Sequence, residues 1–206
     1  MASLSIGNLS LEIAYSGFDT GWVCYDIACR WRGLSVINPA ILEQVSAVPS
    51  EQSGVIMVKE HGECSLLPML RKALETSQSD IWYSLPPYAS VALYMNGLSP
   101  FSFDETDASR RIMTAQAEPD EVLPAEDKAR ESTKYVELLV FVDAINFRFG
   151  ELTREDGLCF RLNPTLEQMW MFYRDLRNEY VAFREENKVA DYLREHSPNY
   201  PSDPWF

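Results

Sequence analysis

His61 and His196 are the two side chains of this 206-residue chain with an ordinary pKa close to neutrality, and His61 opens the run His61-Gly62-Glu63-Cys64. A His-x-Glu pair suits metal-assisted hydrolysis, with the imidazole holding zinc while the carboxylate moves protons. That chemistry also needs a companion Pro-Cys-x-x-Cys, which the chain lacks. One His and one Cys leave a tetrahedral zinc site incomplete, so the simpler reading of His61-Gly62 is a turn carrying a surface histidine. Paired carboxylates are the other equipment on offer, Glu105 with Asp107 and Asp120 with Glu121. Acid–base work would need one of each pair enclosed among apolar groups; in their polar surroundings they read as a solvated face. The chain has no P-loop, dinucleotide fingerprint, nucleophile elbow, H-E-x-x-H or calcium loop. No catalytic, metal-binding or cofactor-binding residue is assigned, and no cofactor is expected.

The four cysteines, Cys24, Cys29, Cys64 and Cys159, form no C-x-x-C pair and read as reduced thiols of a reducing compartment. With 31 acidic residues against 18 basic, a net charge of -13 opposes approach to nucleic-acid phosphates and anionic membranes, and favours a basic partner. No stretch reaches the roughly 18 apolar residues of a spanning helix, and no secretory leader is recognisable, so a cytoplasmic protein is expected.

The elements that would position any site are clearest over residues 157–183. Leu158, Phe160 and Leu162 alternate with polar neighbours as a half-buried strand does, and Asn163-Pro164 offers an N-cap followed by a first helical residue. Beyond it Leu166, Met169, Trp170, Tyr173, Leu176, Tyr180 and Phe183 recur at helical spacing, predicting a helix with an aromatic face turned to the core. Met171 and Phe172 lie off that stripe and predict cover from a second side. A shorter echo, Asn38-Pro39 before Leu42-Glu43-Gln44, leaves open two related strand-then-helix halves.

Earlier in the chain, residues 9–15 and 22–31 read as strands joined by a turn over 16–21, with Val23, Tyr25, Ile27, Cys29 and Trp31 sharing one face. Residues 55–59 predict a strand and Ser65 an N-cap for a helix to Glu75. Asn96-Gly97 predicts a hairpin over 88–103. A helix fits 105–116, and Pro119 and Pro124 end regular structure. Residues 135–149 predict a central strand with a phase shift near Asp143-Ala144, then a loop over 151–156. A second helix fits 189–196, and the Pro-rich tail 197–206 is either pinned by Trp205 and Phe206 or frayed.

The fold class expected is therefore α+β, mainly antiparallel sheet with packed helices. Its divisions are an N-terminal half at 1–103, an acidic connection at 104–134, a C-terminal half at 135–196 and the tail, or one compact domain overall.

The amphipathic N-terminal strands (LSLEIAYS and WVCYDIACRW), the strand-then-helix ending (GLCFRLNPTLEQMWMFYRDL) and the acidic, enzyme-poor composition resemble the small acidic immunity proteins that bacteria pair with polymorphic or secreted toxins. The resemblance implies stoichiometric blocking of a basic toxin or nucleic-acid-binding effector. An acidic inhibitor of a host defence complex would share these traits. Aromatics, 12% of the residues with 5 Trp and 10 Tyr, are the types that dominate interface hot spots. The expected partner face is Trp82, Tyr83, Asp104, Glu105, Asp107, Glu118, Asp120, Glu121, Glu126 and Asp127. A structural or adaptor subunit is the alternative, and a hydrolase using His61 and Glu63 or a carboxylate pair the third reading. Oligomeric state is not legible.

Overall fold

Strict alternation builds the first sheet. In the computed structural model, which describes residues 1–36, 55–61, 65–83, 89–95, 113–116, 136–148, 151–196 and 203–206, β1 (Ala2–Ile6), β2 (Leu9–Asp19) and β3 (Trp22–Trp31) run antiparallel in that order. Two shorter strands, β4 (Leu34–Ser35) and β5 (Ile56–His61), pair with opposite ends of β3. Leu11, Ile13, Val23, Tyr25, Ile27, Cys29 and Val58 point to one side and are fully buried, as period-2 geometry requires. The sequence reading begins at Leu9, so β1 is an addition. The expected turn over 16–21 is tighter than read: β2 continues to Asp19 past a bulge at Ser16, and the chain reverses at Thr20 and Gly21, both at positive φ. Trp31 keeps that phase, opposite Leu9, but is 47% exposed beside the β4 turn.

The second sheet interleaves distant strands. Its members are β6 (Asp80–Tyr83), β7 (Ala89–Met95), β8 (Met113–Gln116), β9 (Val136–Arg148) and β10 (Glu151–Leu162), in the order β6-β7-β9-β10-β8. β9 is central, as its doubly apolar sequence predicts. The phase shift near Asp143 has its cause on the neighbouring strand: the β9–β10 register slips between Glu155 and Leu158, so β10 carries the extra residue while β9 runs unbroken. Residues 151–156 belong to β10 and are not a loop. β8 replaces the end of the helix read over 105–116; those four residues pair in parallel with β10, an edge contact that local periodicity does not register. The proposed hairpin arm at 98–103 lies outside the described residues. Over Ser90–Leu93, β7 pairs with β6 on one side and with β9 on the other.

Three helices are described. α1 (Leu66–Thr76) buries Leu66, Leu67, Leu70, Ala73 and Leu74 and stops at Ser77 in the left-handed region. α2 (Leu166–Glu186) begins at Thr165, not Asn163: the Thr165 hydroxyl accepts the Gln168 N–H at 3.1 Å while the Gln168 side chain accepts the Thr165 N–H at 2.7 Å. This reciprocal capping box outcompetes the Asn-Pro junction because it satisfies two orphan donors at once. α3 (Val189–His196) follows the break at Asn187 and Lys188. α2 packs on β1, β2 and α1, and α1 packs on β6 and β7. That two-sided cover buries Phe172 as well as Met169, Tyr173, Leu176, Tyr180 and Phe183, and leaves Met171 exposed.

The architecture is α+β, as expected. Strands from both sides of the acidic connection share the second sheet, and one apolar core runs from Leu4 and Ile27 to Trp82, Val140 and Phe183. The Asn38 and Leu42 echo lies outside the described residues.

Candidate functional site

The alternation that buries Val58 in β5 also turns Glu60 inward, and its carboxyl sits in the core at 1% exposure. It is held from two directions. The Tyr25 hydroxyl of β3 donates to Oε1, and the Leu66 N–H at the start of α1 donates to Oε2 at 2.8 Å. Both bonds, and the positive end of the helix, favour the carboxylate. Burial outweighs them and pushes the Glu60 pKa up to about 8.

Three aromatic side chains enclose this carboxyl. Tyr15 of β2 lies against Tyr25 with ring centroids 4.8 Å apart, and Trp82 of β6 meets Tyr25 edge to face at 5.9 Å, joining the two sheets. The Trp82 indole lies near enough to favour the Glu60 charge, yet its N–H closes no hydrogen bond of good geometry. Burial first, and then the Glu60 charge, raise the Tyr15 and Tyr25 hydroxyls well above the usual phenol range.

A second polar cluster lies on the other side of Tyr15, which stacks on Phe183 at 5.1 Å and lies 5.2 Å from the Tyr180 ring. There the tail returns to the fold. Asp203 accepts the Tyr180 hydroxyl at 2.8 and 2.9 Å, pairs with Arg184 at 3.1 Å and accepts the Trp205 backbone N–H at 3.1 Å. Trp205 is buried edge-on against Phe18 of β2, and the Arg177 guanidinium lies 4.6 Å over the Phe206 ring. Of the two fates open to the tail, its last four residues adopt the pinned one.

The surface carries a different chemistry. Glu167, Asp175, Glu185, Glu186, Asp191 and Glu195 are exposed along α2 and α3. At the β3–β4 turn, Trp31 and Leu34 (69% exposed) stand in solvent with the Arg32 guanidinium 5.0 Å over the Trp31 ring.

Of the expected partner face, Trp82 requires correction: at 1% exposure it is a core residue joining the sheets. Tyr83 ends β6. Asp104, Glu105, Asp107, Glu118, Asp120, Glu121, Glu126 and Asp127 lie outside the described residues, as do Glu63 and Cys64. His61 is the last residue of β5, opposite Trp22, rather than part of a turn, and His196 is exposed at the end of α3, stacked on Tyr192 at 4.4 Å. Among the described residues no group of three His, Cys, Asp or Glu side chains is placed to hold a metal, and no helix is long and apolar enough to cross a membrane. The Glu60 cluster is absent from the sequence reading. Its signal was the in-phase spacing of Val58 and Glu60 in β5, which places a carboxyl at an apolar position.

No protein-family model matches the chain, and no curated protein or solved structure matches it at a significant level.

Proposed function

We propose that this chain is a non-catalytic acidic binding protein that neutralises or inhibits a basic protein partner, of the immunity or anti-defence type. The reading is carried by the net charge of -13; six carboxylates are exposed along α2 and α3, interspersed with the exposed Arg174, Arg177, Lys188 and Arg194. Such a field accelerates encounter with a positively charged surface and repels nucleic acid. The solvent-facing Trp31 and Leu34 supply apolar contact area of the kind that follows electrostatic steering.

The test is affinity capture from the native host, followed by measurement of binding to the purified partner across a salt series. A partner with a basic surface, bound more weakly as salt rises and at least tenfold more weakly after Glu185→Lys and Glu186→Lys with charge reversal over residues 104–127, supports the reading. A stoichiometric partner bound with no salt dependence and unchanged affinity after those reversals removes it in favour of an adaptor subunit.

A further inference from the structure

We propose that β1 is a self-pairing edge, along which two copies of the chain join antiparallel about a two-fold axis at Leu4. The inference does not rest on the partner reading above.

The phase of the β1–β2 hairpin decides which backbone groups of β1 are already used. Gly7 and Asn8 form a two-residue turn with Gly7 at positive φ, so the flanking Ile6 and Leu9 exchange hydrogen bonds, and Leu4 with Leu11 and Ala2 with Ile13 follow at every second position. Tyr15 keeps this phase: beyond the end of β1 its N–H points to the same side and is taken by Glu179 at 3.1 Å. The N–H and C=O groups of Ser3 and Ser5 therefore point away from β2. β1 is the last strand of its sheet, and among the described residues no strand pairs with that side.

The other sheet edges are guarded by shortness, charge or cover. β4 has two residues and β8 four, β5 carries Lys59 and His61, and α1 packs on β6. β1 has five residues with no charge, proline or bulge.

A second copy fits this edge by symmetry. With the axis at Leu4, Ser3 of one copy lies opposite Ser5 of the other, and both present outward N–H and C=O groups, so each such pair closes two hydrogen bonds. Ala2 and Leu4 stay on the buried face, while the exposed Ser3 and Ser5 side chains on the opposite face add neither bulk nor charge. A net charge of -13 on each copy opposes association, yet residues 1–11 carry no charged side chain, and Glu12, across from Ser3, is paired with Arg30 at 3.1 Å. The repulsion is therefore long-range and is screened by salt. A five-residue ladder is a small interface, so the dimer is weak and concentration-dependent.

The test uses the full chain. Analytical ultracentrifugation should show monomer giving way to dimer as concentration rises, with more dimer at higher salt, the opposite of the salt response expected for a basic partner. In hydrogen exchange the Ser3 and Ser5 amides should be slow in the dimer and fast on dilution, while the Leu4 and Ile6 amides, which face β2, stay slow throughout. Ser5→Pro removes an outward donor and leaves the β1–β2 ladder intact, so it should abolish the dimer and keep the fold. Should that variant fail to fold, the exchange pattern of the native chain decides alone. A monomer up to about 1 mM overturns the proposal, as do a dimer that survives in folded Ser5→Pro, a dimer in which Ser3 and Ser5 exchange fast, and slow exchange of these two amides in the monomer or only on adding another protein.

Discussion

Glu60 accepts the Leu66 N–H at 2.8 Å, so a carboxyl from the end of a strand, rather than the Ser65 hydroxyl, closes the first turn of α1. Ser65 sits at the N-cap with an extended backbone but makes no capping bond. The start of this helix is therefore tied to the ionisation of a group in another element.

Stability should fall as pH rises from about 4.5 to about 8 because of this group. Its pKa is near 8 in the fold against the ordinary 4.5, so in that window the native state holds a proton that the unfolded chain has lost. The contribution is complete below the lower value, declines by roughly 1.4 kcal/mol per pH unit, and is gone above the upper one. Tyr15 and Tyr25, both raised well above 10, stay neutral throughout. Urea unfolding across this range should show a steeper decline for the native protein than for Glu60→Gln. Parallel curves would mean that the carboxyl is already ionised in the fold.

Replacing Trp82 by Ala should cost about 3–5 kcal/mol, because the side chain is buried where the sheets meet. Denaturant unfolding checks the figure. A loss below about 1 kcal/mol would fit an exposed residue and would contradict the core position.

Asp203→Ala should release the tail. It removes the acceptor of the Tyr180 hydroxyl and the partner of Arg184, at a cost of roughly 1.5–3 kcal/mol for each charged hydrogen bond left unmade. Trp205 fluorescence should shift to longer wavelength as the ring leaves Phe18. An unshifted spectrum would show that Trp205 packing alone holds the tail.

Thr165→Ala should destabilise the protein by about 1 kcal/mol. Unchanged thermal unfolding in this variant would show that the Thr165 hydroxyl does not cap the helix.

Most of the strands and both C-terminal helices were legible because each buries one face, and a period of 2 or 3.6 writes that burial into neighbouring residues. Val23, Tyr25 and Ile27 declare β3 in this way. What escaped depends on residues far apart in the chain. Met113 and Thr114 become strand through pairing with Leu158 and Cys159, and Trp82 is core because β6 is covered by α1. The Glu60 cluster escaped for a related reason: Tyr15, Tyr25, Glu60 and Trp82 come from four strands, and no local spacing announces their meeting. The Thr165-x-x-Gln168 box was present in the sequence and was outweighed by the more conspicuous Asn-Pro beside it.

The interleaved second sheet carries a consequence for biogenesis. During translation β6 and β7 leave the ribosome well before β9, the strand that separates β7 from β10. Until residues 136–142 are synthesised, one side of β7 is an unprotected template for pairing with other nascent chains. Productive folding thus waits on the last third of the polypeptide, and fragments ending before it should accumulate as insoluble material.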